Sequence, residues 1–225
     1  MKLMRQKLER RGFLAGAAAL AATRPALAAP LPIPPGNEMR FKILRNGSPI
    51  GEQHMKFTQS GDDLRVDINA DLVVTLAGIP VFHYRASAVE RWSGGHFSRL
   101  DSQVNHNGTK LSVQADPIPG GYAVQSTKAG DYEYTGQPKM LPLTYWNKAM
   151  LKAMILNVET GRHYPAIVNS PGWNKLPTAE GGFVIAQRFN VTGKLHLSVW
   201  YDQYDQWSGL AFNVDGHETF QKYMT

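Results

Sequence analysis

Leu64-Arg65-Val66-Asp67-Ile68-Asn69-Ala70-Asp71-Leu72-Val73-Val74-Thr75-Leu76 decides the fold class. Leu64, Val66, Ile68, Ala70, Leu72, Val74 and Leu76 are apolar, and the residues between them are polar except Val73. Successive side chains of a strand point to opposite faces, so this segment has one apolar and one wet face. That pattern belongs to an antiparallel sheet covered on one side.

The same period extends outward in both directions. Met39, Phe41 and Ile43 alternate with Arg40 and Lys42. Phe82, Tyr84, Ala86, Ala88, Glu90 and Trp92 share a face, as do Phe183, Ile185, Phe189 and Val191, and then Leu195, Leu197, Val199 and Tyr201. Asn46-Gly47, Gly61-Asp62, Asn107-Gly108, Gly120-Gly121, Gly181-Gly182, Gly193 and Asp215-Gly216 separate the runs. Gly and Asn tolerate the positive φ of tight hairpins. The spacing predicts a meander of roughly ten strands, forming a strongly curved antiparallel sheet or incomplete β-barrel. Thr144 to Asn157 departs from this pattern. Thr144 is a natural N-cap, Trp146, Met150, Ala153 and Met154 recur at helical spacing, and Lys148 and Lys152 sit four apart. The spacing predicts one helix packed on the concave side of the sheet. The alternative is an amphipathic helix facing lipid.

Upstream, Arg10-Arg11-Gly12-Phe13-Leu14 places a twin arginine before an apolar run from Phe13 to Ala22, and Ala26-Leu27-Ala28 has the small-x-small pattern of a cleavage site. Residues 1–28 therefore read as a twin-arginine signal peptide, 29–37 as a Pro-rich spacer and 38–225 as a single β-rich domain. The expected partners during export are the twin-arginine translocase and signal peptidase, and the expected location is the periplasm after cleavage near Ala28. The leader holds six basic residues and one acid, so 18 basic and 17 acidic side chains follow it. The overall charge of +6 is thus no argument for nucleic acid. The apolar run is too short for a span, which needs roughly 20 residues, so the mature chain is expected to be soluble with no transmembrane segment. With no Cys there is no disulfide, lipid-anchoring thiol or thiolate metal site.

No GxSxG, HExxH, P-loop or GxGxxG motif is present. The seven histidines include no pair at i, i+2 or i+4, so neither a metal nor a cofactor is expected. Two places carry chemistry. Glu90 falls on the apolar face with Trp92, where a carboxylate is costly unless it is paired. Either the strand ends there and the acid meets water, or it is a buried acid that orients a head group or donates a proton. Trp200-Tyr201-Asp202, followed by Asp205 and Trp207, reads either as a hairpin turn clamped by aromatics or as an aromatic and acidic rim for a ligand. With Tyr145, Trp146, Met150 and Met154 of the expected helix, Glu90, Trp92, Trp200, Tyr201 and Asp202 are the candidate ligand-lining residues. No catalytic residue is assigned.

The hairpin Phe41-Lys42-Ile43-Leu44-Arg45-Asn46-Gly47-Ser48-Pro49-Ile50-Gly51, the strand end Val89-Glu90-Arg91-Trp92 and the turn Trp200-Tyr201-Asp202, with Leu210-Ala211-Phe212 after it, are three markers that stand in this order. In these features the chain resembles a family of exported bacterial proteins known only as a domain of unknown function. The resemblance covers essentially the whole mature chain and implies a β-rich envelope protein. In architecture the pattern is also similar to periplasmic lipid carriers, which wrap a curved sheet around an apolar cavity plugged by a helix. The leading expectation is non-enzymatic binding of a lipid-like ligand. The alternatives are a carboxylate-dependent hydrolase using Glu90 with Asp202 or a histidine, or a structural protein that binds an envelope partner.

The leader makes its own prediction. Changing Arg10 and Arg11 to Lys should strand folded protein in the cytoplasm, as read by fractionation, whereas unchanged export would mean an ordinary secretory signal.

Overall fold

The computed structural model describes residues 30–214 and 216–224. The expected signal peptide, with Arg10 and Arg11, lies outside the described residues. Within them the chain is mainly strand. β1 (Glu38–Arg45), β2 (Ser48–Ser60), β3 (Asp63–Leu76), β4 (Ile79–Ser93), β5 (His96–His106), β6 (Thr109–Ile118), β7 (Gly121–Ser126) and β8 (Tyr132–Tyr134) form an antiparallel meander. After an excursion, β12 (Ile167–Pro177), β13 (Phe183–Thr192), β14 (Leu197–Tyr201), β15 (Trp207–Val214) and β16 (His217–Tyr223) complete it, and β16 pairs with β1. The result is one 13-stranded sheet in the order β12-β13-β14-β15-β16-β1-β2-β3-β4-β5-β6-β7-β8. It does not close, because β8 and β12 are both edges. The strand total exceeds the roughly ten expected from turn spacing, because pieces as short as three residues leave no period to read.

The apolar face predicted for β3 is the core face. Leu64, Val66 and Ile68 are buried together with Phe41, Met55, Phe57, Leu100 and Val113 from neighbouring strands. The excursion fills the space they enclose. β9 (Met140–Pro142), β10 (Met154–Leu156) and β11 (His163–Pro165) form a three-stranded sheet in the order β11-β10-β9, with β9 and β10 parallel. Met140, Trp146, Met150, Ile155 and Leu156 from this stretch are all at most 1% exposed and join the main core.

The helix predicted over Thr144–Asn157 is not formed. Its place is taken by a 3₁₀ turn over Lys148–Lys152, capped by the Asn147 side chain on the Ala149 N–H rather than by Thr144. Pairing to the interior accounts for the difference. Leu143 N–H donates to Leu156 O, Met154 N–H donates to Lys139 O, and Tyr145 takes φ of 70°, which ends any helix before it starts. A 14-residue helix is marginal by itself, and here the strand partners and the burial of Trp146, Met150 and Leu151 override propensity. No α-helix packs on the concave side among the described residues, and no helix there is long and apolar enough to cross a membrane.

The Pro-rich stretch lies against the domain: Leu31 and Ile33 pack on the core and Pro34 is buried. A second, smaller core forms on the opposite face, where Leu176, Ala186 and Trp200 cluster with Ala211 and Phe220. The residue at 51 is constrained by a close backbone approach. A Cβ on Gly51 would lie 2.0 Å from the Asp71 carbonyl oxygen, opposite a register shift in β1. Gly51→Ala should therefore cost about 3 kcal/mol, towards the upper end for overpacking, read as a lower urea midpoint. An unchanged midpoint would mean that β2 and β3 are not held at this spacing.

Candidate functional site

Glu90 is fully buried. β4 points it inward between Ala88 and Trp92, as the alternation requires, and the strand does not end there. Its Oε2 accepts hydrogen bonds from the indole nitrogens of both Trp92 and Trp146, each at 2.9 Å. The two indoles meet edge to face with centroids 5.2 Å apart, and Trp146 packs on Phe57 at 5.3 Å. Burial raises the carboxyl pKa above its ordinary value, opposed by the side chains of Thr144, Trp146 and Trp92, which favour the charged form. Oε1 makes no hydrogen bond. This cluster ties the main sheet to the excursion and is sealed from water. Where 144–156 covers the sheet, the space is packed rather than open, with a crevice of about 350 Å³ beside it, lined by Leu31, Trp92 and Tyr122 among others.

The other candidates scatter. Met150 is buried in the core, and Met154 is a half-buried residue of β10. Tyr201 is buried on the core face and its hydroxyl donates to Tyr145 O at 2.7 Å. Trp200 points the other way, under the Arg188 guanidinium at 5.3 Å, and donates to Asn174 Oδ1. The Trp200-Tyr201 pair therefore lines no common rim, since neighbours in a strand face opposite sides. Asp202 shapes the β14–β15 turn, its Oδ1 accepting from the Tyr204 and Gln206 amides at 2.8 and 2.9 Å. Glu90 and Asp202 are thus each committed to structural hydrogen bonds.

Burial along the inner face locates an opening. On β3 the inward residues are buried at Leu64, Val66 and Ile68 and half-buried from Ala70 through Leu72 to Val74. On β4 Ala86, Tyr84 and Phe82 follow the same gradient toward the same end, and Leu111, Phe189, Leu197 and Phe212 are half-buried on their strands. The lower half of the curved sheet is filled; at the upper end the inward stripe of β3 and β4 opens into an apolar mouth, while Ile43, Val104 and Val191 on other strands at that end stay buried. Tyr145 and Tyr84 stand within it, and neither phenol makes a hydrogen bond among the described residues. Both pKa values are raised, first by burial and then by the charge of Glu159, so the phenols are neutral donors. Tyr84 was visible in the sequence as an inward residue, but Glu159 carries no local signal. The wet face holds a groove of about 720 Å³ across β2 to β6, lined by polar side chains such as His54, Asn69, Ser87 and Gln103. Within it Asp71 is held by His83 at 2.8 Å and Arg85 at 3.0 Å, which lowers its pKa.

The family model described as a domain of unknown function, DUF6134, matches residues 41–223. No curated protein matches the chain. Among solved structures, a beta-barrel-like protein of domain of unknown function DUF1849 from Brucella abortus superposes with a TM-score of 0.58 at 7% identity, over 84% of this chain and 95% of that one. At that identity the likeness concerns fold alone.

Glu90 generates a pH prediction. Its folded pKa lies above the value near 4.3 of an unfolded Glu, so its contribution is fully present below that value and is lost as pH rises through the folded pKa. In urea unfolding from pH 4 upward, the native chain should lose stability relative to Glu90→Gln. If the native chain gained instead, the carboxylate would be held charged. Glu90→Leu strands two buried indole N–H groups and should cost about 1–3 kcal/mol for each.

Proposed function

The chain belongs to this DUF6134 family of unknown function, and we propose that it is a non-enzymatic, exported binding protein for a lipid-like amphiphile, held in the apolar mouth rather than beneath the 144–156 segment. The observation that carries the proposal is the burial gradient on the inner face. Side chains of one apolar stripe pass from fully buried at Val66 to half-exposed at Leu72 and Val74 without a change of chemistry. Apolar walls with a few convergent polar groups are what a small-molecule site requires. Leu72, Phe82 and Phe189 supply the walls, and the neutral phenols of Tyr84 and Tyr145 supply donors for a polar head. As part of the same proposal we read Arg10 and Arg11 as an export signal with cleavage near Ala28, and the periplasm as the site of this activity.

A second reading has its own support. β12 is an 11-residue edge strand, and its ribbon with β13 exposes Trp173, Ile185 and Phe183 on one face, with the Lys175 ammonium 4.7 Å from the Phe183 ring. An edge of that length bearing aromatics suits strand addition by an envelope partner.

Organic extraction of the purified exported protein, followed by mass spectrometry, tests the first reading. The native protein should yield an amphiphile, and Leu72→Asp, which charges the mouth without touching the filled half, should reduce the yield at least tenfold. A clean extract, with no thermal shift from added fatty acid or phospholipid, would overturn it.

A further inference from the structure

We propose that the β3–β4 hairpin tip inserts into an anionic lipid bilayer and seats the rim of the sheet on the membrane. The hairpin differs from the others of this sheet in being apolar on both faces. From Leu72 to Phe82 the chain carries no charge, and Leu76, Ile79 and Val81 at the tip are 71%, 66% and 51% exposed. A strand that docks on a protein groove needs one apolar face, whereas a segment immersed in hydrocarbon needs both. It must also satisfy its backbone internally, and the pairing of Leu76 with Ile79 and of Thr75 with Pro80 keeps the ladder going to the turn.

The turn residue supplies independent support. Three hairpins on this rim turn through two residues of positive φ. Two use Asn-Gly, at Asn46 (φ 47°) with Gly47 and Asn107 (φ 51°) with Gly108. The third has Ala77 at φ 49° before Gly78. Asn tolerates the left-handed region because its short amide bonds locally, while Ala is strained there. Of these three turns, the one at the apolar tip lacks the polar Asn, and there the chain accepts backbone strain to stay apolar. In hydrocarbon an amide without a partner costs more than that strain.

Basic side chains at the turns beside the tip suit an anionic surface. Antiparallel order brings the β1–β2, β3–β4, β5–β6, β13–β14 and β15–β16 turns to the same end of the sheet. Exposed Ile167 and Val214 lie at that end too. Arg45, Lys110 and Lys194 sit at these turns, and none forms an ion pair among the described residues. The acids there are Asp71, already held by His83 and Arg85, Glu52 opposite it on β2, Glu159 beside the tyrosines of the mouth, and Glu218, with Asp215 outside the described residues; all lie further from the tip than Leu76 and Ile79. Four residues of strand, from Val73 to Leu76, span roughly 13 Å at ~3.3 Å each. That length covers the ~5–10 Å penetration of interfacial elements and leaves the basic rim at the head groups. This inference stands on the outer tip and does not rest on the ligand reading of the mouth.

Vesicle co-sedimentation tests it with the chain beginning at Ala29, because the apolar run 13–22 would itself partition. The native chain should pellet with phosphatidylglycerol-containing vesicles and at least tenfold less with phosphatidylcholine alone. Leu76→Asp with Ile79→Asp should reduce pelleting at least tenfold while the thermal midpoint holds. Ala77→Asn provides a readout that a purely structural tip would not give: it should raise the thermal midpoint, because the turn is relieved, and weaken vesicle binding. A native chain that stays in the supernatant, or a doubly substituted one that binds as well as native, overturns the proposal. So does tip-dependent self-association by light scattering without vesicle binding, which would make the occupant a second copy. Amphiphile still extracted from a chain that ignores vesicles would remove this proposal and leave the ligand reading standing.

Discussion

The Glu90 carboxyl between the indoles of Trp92 and Trp146 is the contact on which the architecture turns. A sheet of 13 antiparallel strands with one apolar face has to curl around something. The excursion between β8 and β12 supplies that filling, and Oε2 of Glu90 joins the two, accepting one indole from the sheet and one from the excursion. Both tryptophans need an acceptor when buried, and Glu90 provides one at a place where burial pushes its pKa up and so lessens the cost of a buried charge.

From that anchor the molecule divides along the strand axis. Below, near Trp92, Phe97 and Leu100, the interior is packed by Trp146, Met150 and Leu156. Above, the same inward stripe runs past its filling, and its side chains stand half-exposed around Tyr84 and Tyr145. The mouth follows from the length of β3 and β4, 14 and 15 residues, against an excursion that fills only part of their span. Further up, the hairpin leaves the sheet altogether, apolar on both faces. Packed floor, open mouth and bare tip are successive stretches of one pair of strands.

Much of this was legible in the residues. Period two across Leu64–Leu76 gave the strand and its inward face, the alternation from Phe82 to Trp92 put Glu90 on the apolar face while leaving open whether it was buried or met water, and the β14–β15 turn could be read from Asp202 and Asp205. The likeness to a family known only as a domain of unknown function is confirmed over 41–223. The predicted helix failed because Trp146, Met150 and Met154 carry helical spacing by coincidence. The backbone is instead set by the bonds of Met154 to Lys139 and of Leu143 to Leu156, each of which joins an end of the segment to a residue beyond helical reach. The joint Trp200–Tyr201 site failed for a simpler reason, since adjacent strand residues face apart.

The sequence by itself determined the strands, the faces they present and the turns between them, because alternation and Gly or Asn at positive φ are local properties of the chain. Only the tertiary structure decided that the sheet stays open, that a 3₁₀ turn and a small mixed sheet fill half of it, and that Glu90 meets two tryptophans, one of them 56 positions away. Those outcomes depend on how much volume the curled sheet encloses and which segment reaches it, and neither quantity is written in any local stretch of residues.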